Sequence, residues 1–144
     1  MSSPLNVTAL VSAKEEYTKQ LLNLLSPEIY DALKTIYDDS QLMKKKRNVS
    51  LRNFQIHLKN IREWNSVKTE KYTQTILDKI PYLMNLIKAV FVSNVKILAC
   101  VRLKNNNKDI KIKMPTVQTF LHKMLITVAE IIYRNPDIFI SKNK

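Results

Sequence analysis

The side chains in this chain that could make or break a bond are few and scattered. His57 and His122 are the only histidines; they lie far apart in sequence, neither has a ligand-spaced partner, and each reads as an ordinary polar-face residue rather than an acid, base or metal ligand. Cys100 is the single cysteine, which excludes an intramolecular disulfide and a cysteine cluster for zinc. Its neighbours Leu98, Ala99 and Val101 point to a small buried hydrophobe in a reducing compartment, with nothing nearby to activate a thiolate. Asp31, Asp38 and Asp39 do not form a calcium loop and fall on the wet side of an expected helix.

The chain contains no glycine, whereas ordinary proteins use about 7%. Glycine supplies the positive-φ positions of phosphate-cradling loops and the nucleophile elbow, so those motifs are excluded together. No catalytic residue, metal site or cofactor is expected, and the chain reads as a non-enzyme.

Charge gives the clearest binding signal. Residues 1–43 carry three basic and six acidic side chains, a net of −3, so the remaining 101 residues carry +15 of the formal total of +12. The cations cluster at Lys44, Lys45, Lys46 and Arg47, then at Arg52, Lys59 and Arg62, and again at Lys104, Lys108, Lys111 and Lys113. Arg52, Lys59 and Arg62 are spaced to share a helix face, as phosphate contacts require, but the pattern is unspecific and suits DNA or RNA phosphate, a membrane surface or an acidic protein. Trp64 and Tyr72 lie near these cations and could stack on unpaired bases, although an aromatic on a helix seam is more often core. No helix-turn-helix, RNA-binding sheet or zinc-finger signature accompanies them.

The elements that would position these groups are helical. A first helix is expected from about Thr8 to Leu25, with Leu10, Lys14, Tyr17, Leu21, Leu24 and Leu25 near the helical period. Ser26, Pro27 and Glu28 then look like the start of a second helix, with Ile29, Leu33, Ile36 and Tyr37 inward and Lys44–Arg47 at its end, giving an acidic hairpin over 8–43. Asn48 to Ser50 opens a third helix with Leu51, Phe54, Leu58 and Ile61 on one face and Trp64 extending the seam. Asn65-Ser66 caps a shorter one over 67–79, whose apolar residues are Val67, Tyr72, Ile76 and Leu77.

The longest apolar region, 81–103, is interrupted by Asn85, Lys88, Ser93, Asn94 and Lys96. That is too polar for a transmembrane segment, and the region is expected as a central helix surrounded by others. Residues 110–114 alternate at period two, suggesting a short extended arm that pairs with 99–103 or with a second copy through Ile110, Ile112 and Met114. The last long helix follows Thr116, uses Val117, Phe120, Leu121, Met124, Leu125, Val128, Ile131 and Ile132, and stops at Asn135-Pro136. Ile138, Phe139 and Ile140 are expected against the core.

The expected fold is therefore all-α: one domain over 1–144, a compact bundle of five to six helices with one extended arm or hairpin near 99–114 and a basic remainder over 44–144. The opening residues lack the blocks of a secretory signal, so a soluble intracellular protein is expected, with Asn6 and Asn48 as chance sequons.

Trp64-Asn65, the run from Ala89 to Arg102, Ile110 to Pro115 leading into Phe120, Leu121 and His122, and Asn135 to Phe139 together resemble a family of small proteins of nucleocytoplasmic large DNA viruses, African swine fever virus included. The resemblance covers about residues 60–140. It implies a late product of the host-cytoplasmic virus factory, associated with the virion, and carries no catalytic motif. The expected function is that of a viral structural or assembly protein working through protein–protein contacts, as a homodimer or with other viral structural proteins. The alternative is sequence-independent nucleic-acid binding through the basic groups.

Overall fold

The structure is a computed structural model that describes residues 4–42, 47–102 and 113–141. Among these the fold is all-α, with no strand. The helices are α1 (Pro4–Gln41), α2 (Arg47–Asn60), α3 (Ser66–Lys79), α4 (Leu83–Arg102), α5 (Val117–Arg134) and α6 (Pro136–Ser141), and a 3-10 turn, Ile61–Glu63, follows α2.

The expected N-terminal hairpin over 8–43 is instead a single helix of 38 residues with Pro27 inside it. Leu21, Leu25, Ile29, Leu33, Ile36 and Ser40 are all buried and follow one another at helical spacing, so the inward stripe keeps its phase through the proline. An interior proline costs about 3 kcal/mol. Burying Leu25 and Ile29, the side chains flanking it, contributes roughly 3–6 kcal/mol together, which a break at this point would forfeit. Asn23, whose carbonyl loses its donor at Pro27, is exposed to water. Ser26, expected as a cap, donates its hydroxyl to the Leu22 carbonyl at 2.6 Å, a bond made inside a helix rather than at its start. The last turn of α1 holds no basic residue, Lys44 to Lys46, expected to close this helix, lie outside the described residues, and Arg47 opens α2.

The later boundaries follow local chemistry. Asn65 caps α3, its Oδ1 accepting from the Lys68 amide at 2.8 Å. Within α3, Thr69 and Thr73 are buried while Val67 is 72% exposed, the reverse of what their polarity suggests. Each threonine hydroxyl donates to the carbonyl four residues back, at 2.9 Å, which satisfies the oxygen and leaves the methyl to pack. Pro136 occupies the first position of α6, where its missing N–H is not needed.

Two compact units are distinguished. The first comprises Met1–Ser26 and Leu77–Val117, the second Pro27–Ile76 and Gln118–Lys144. Buried apolar side chains of the first are Leu21, Leu25, Ile80, Leu83, Leu86, Ile87 and Val117. Lys14 Nζ donates to Asn94 Oδ1 at 2.9 Å, tying α1 to α4. In the second unit Phe54, Leu58, Ile61, Leu121, Leu125 and Ala129 are enclosed, and Phe54 is ringed by Tyr37 and Phe139 with centroids 5.1 and 5.3 Å away. Phe139 is thus held in the core as expected, whereas Ile138 is 53% exposed.

Three further expectations fail. Helix α4 is not surrounded: over Leu83–Val101 it is long and apolar enough by composition to cross a membrane, mean hydropathy 1.6, yet only 17% of that stretch is buried. Cys100, expected to be buried, is half-exposed on it. Residues 99–102 belong to α4, so they form no strand for an arm to pair with; Ile110 and Ile112 lie outside the described residues, and residues 113–116 are irregular.

Candidate interaction site

The second unit presents a cleft of about 280 Å³ between α2 with its following turn and α5. Leu58, Ile126 and Ala129 supply its apolar surface, and Lys59, Arg62, Glu130, Tyr133 and Arg134 its polar one. The spacing explains this gathering. Leu58 is buried in the α2 seam, which sets Lys59 on the flank, and Arg62 follows one turn later. On α5, Ile126, Ala129, Glu130, Tyr133 and Arg134 recur at intervals of three and four and share one face.

Arg62 forms an ion pair with Glu130 across the cleft, both side chains well exposed. Such pairs contribute about 0–1 kcal/mol, so the contact orients the guanidinium more than it stabilises the fold. Gln55 Nε2 donates to the Tyr133 carbonyl at 2.8 Å, a second link between α2 and α5.

At the end of the 3-10 turn, Trp64 is half-buried in a small aromatic group. His122 stacks on it, centroids 6.0 Å apart and planes 6° from parallel, Tyr72 meets it edge-on at 5.9 Å, and Lys68 Nζ lies 4.8 Å from the ring centroid. These partners occupy ring surface that a base would need. His122 is no polar-face residue: its Nε2 lies 2.7 Å from the Ile61 carbonyl, and since a carbonyl only accepts, that nitrogen carries the hydrogen. His57 makes only a local contact with the Asn53 carbonyl, at 2.8 Å. The Tyr72 hydroxyl is enclosed without a hydrogen-bond partner among the described residues. Burial, reinforced by the Glu28 carboxylate, pushes it well above the ordinary tyrosine range.

Of the cations singled out by sequence, the cleft brings together Lys59 and Arg62. Arg52 is exposed two turns before Lys59 on α2, and Lys113 is exposed in the first unit. Lys44, Lys45, Lys46, Lys104, Lys108 and Lys111 lie outside the described residues. Met114 is half-buried and lines a groove with Phe91, Val92, Val95 and Lys96. Arg134, Tyr133 and Glu130 escaped the sequence reading; the signal that marks them is Glu130 four residues before Arg134, on the face of α5 that also carries Ile126. Asp31, Asp38 and Asp39 are exposed along α1, as expected. Among the described residues no three His, Cys, Asp or Glu side chains are grouped to hold a metal ion.

No curated protein matches the chain, and no solved structure does. A family model matches residues 7–140, from the first turns of α1 through α6, so the acidic N-terminal helix and the basic remainder fall within one family unit. The chain belongs to the family described as "Family of unknown function (DUF5764)".

Proposed function

We propose that this protein is a non-catalytic structural or assembly component that acts through protein–protein contacts at the α2–α5 cleft. The viral setting, with synthesis at the cytoplasmic virus factory and association with the virion, rests on the sequence resemblance; the mode of action rests on the cleft. Its composition is the supporting observation: an apolar floor bordered by Tyr133 and by charges of both signs. Tyrosine and arginine beside a desolvated floor are the side chains that most often dominate protein interfaces. A polyanion gains little from Arg62, whose charge is already met by Glu130. A protein partner can offer an apolar anchor to the floor and a carboxylate to Lys59 or Arg134. Partners of this kind are other viral structural proteins or a second copy of the chain.

The test is a photo-crosslinking amino acid in place of Tyr133, with mass spectrometry of adducts formed in producing cells. A defined protein adduct, lost on Arg134→Glu, is the expected result. Adducts confined to nucleic acid, or none, would reject the reading.

Sequence-independent nucleic-acid binding is the second reading, favoured by Lys59 and Arg134 bordering one cleft, with Arg52 on the same helix as Lys59. It requires affinity that falls steeply with salt and weakens on charge reversal at Lys45 and Lys46. A flat salt response rules it out.

A further inference from the structure

Helix α4 leaves an unusual stripe in solvent. Met84, Lys88, Val92 and Lys96 follow one another at four-residue steps, so they lie in one row, and all four are exposed. The row alternates apolar and cationic side chains. Over its 20 residues α4 carries no Asp or Glu, so nothing on the helix itself compensates the lysines. Beside the row, Met114 joins Phe91, Val92, Val95 and Lys96 around a shallow apolar groove, and Lys113 next to Met114 is exposed. A core helix of this hydropathy would be mostly enclosed; α4 is not.

We propose that this face of α4 docks in the plane of an anionic lipid bilayer. Charge complementarity selects the occupant. Lysines flanking Val92 can reach headgroup phosphates and carboxylates with their tips while their methylene stems lie along the apolar boundary. Met84 and Val92 enter the interface between them. Spanning is the less favourable arrangement, because Lys88, Asn94 and Lys96 would then sit within the hydrocarbon. A second copy packed about a two-fold axis on this stripe would set lysine against lysine with no carboxylate on either α4 to separate them. A nucleic-acid backbone would leave Met84 and Val92 unpaired with anything apolar. This docking uses a different surface from the α2–α5 cleft and stands independently of it.

The test is flotation of the full-length protein with vesicles of phosphatidylcholine alone and of phosphatidylcholine with phosphatidylserine. Binding is expected only to the anionic vesicles, weakening as salt rises. Val92→Asp and the double variant Lys88→Glu/Lys96→Glu should each lower it, the double variant by more than about tenfold, with helicity by circular dichroism unchanged. Lys59→Glu/Arg134→Glu, in the other unit, should leave it intact. Four results would overturn the proposal: no flotation with either vesicle, equal flotation with both, binding indifferent to the α4 substitutions, or a lipid-free dimer that Val92→Asp dissolves.

Discussion

Trp64 and His122 stack in parallel, 6.0 Å between ring centres, while the imidazole Nε2 donates to the Ile61 carbonyl at 2.7 Å. One side chain of α5 thereby holds both the last turn after α2 and the tryptophan that follows it. His122→Ala removes a hydrogen bond and a ring contact, and is expected to cost about 1–2 kcal/mol. The cost stays moderate because the Ile61 carbonyl keeps the Trp64 amide at 3.2 Å. Trp64 is the only tryptophan, so its emission reports this site alone. A red shift should accompany the loss of stability, and an unchanged spectrum would mean that the stack does not shield the ring.

Pro27 interrupts the hydrogen bonds of α1 without ending the helix. Replacing it with alanine restores a donor for the Asn23 carbonyl and relieves the clash of the ring with that carbonyl, so Pro27→Ala should stabilise the protein by about 1–3 kcal/mol. Thermal or urea unfolding measures this. A destabilised variant would show instead that the local geometry at the proline is needed for the packing of Leu25 and Ile29.

The same helix shows what a sequence carries and what it conceals. The spacing of Leu21, Leu25, Ile29 and Leu33 was legible, and so were the inward faces of α2 and of much of α5, because a 3.6-residue period survives in the identities of the side chains. Ser26-Pro27-Glu28 was misleading: local capping chemistry argued for a break, and the burial on either side of it prevails. Thr69, Thr73 and Ala129 were hidden for a different reason. A threonine whose hydroxyl is satisfied by its own helix buries like a small apolar residue, and Ala129, too small to stand out in an apolar stripe, is buried while Ile131, expected on that stripe, is 62% exposed. The exposure of α4 could not be read at all, since hydrophobicity records what would favour burial and not what is available to cover it. In the candidate site the α2 cations were visible as a spacing, whereas Arg134 and Glu130 join them only through the packing of α5.

Tyr72 carries a pH dependence. Its hydroxyl is enclosed without a hydrogen-bond partner among the described residues, and burial, with the Glu28 carboxylate adding to it, raises its pKa above the ordinary 10.0. The folded state keeps this proton at a pH where the unfolded chain releases it. Its share of stability is therefore fully present below about pH 10 and is lost as pH climbs beyond that value towards the folded pKa. Tyr72→Phe should remove this share of the alkaline loss, and at neutral pH should be neutral or stabilising by up to about 1 kcal/mol, because no hydroxyl is then left unsatisfied. The chain has six tyrosines, so the difference between the two proteins isolates this one. Parallel stability curves from neutral to alkaline pH would refute the assignment.

Glu130 separates the two modes of action considered for the cleft. Both partners of its ion pair with Arg62 are exposed, so Glu130→Gln should change stability by less than about 0.5 kcal/mol. It nevertheless removes the one carboxylate among the residues lining the cleft and leaves Lys59, Arg62 and Arg134 uncompensated. If the cleft takes a phosphate backbone, the variant should bind single- or double-stranded DNA more tightly, with a logarithmic salt slope steeper by about one. If it takes a protein, Arg62 loses the group that orients it and the yield of protein crosslinks at position 133 should fall while DNA affinity at moderate salt stays negligible. The two outcomes differ in sign, so salt titration and crosslinking on this single, structurally mild variant distinguish a partner that needs the carboxylate from one that is repelled by it.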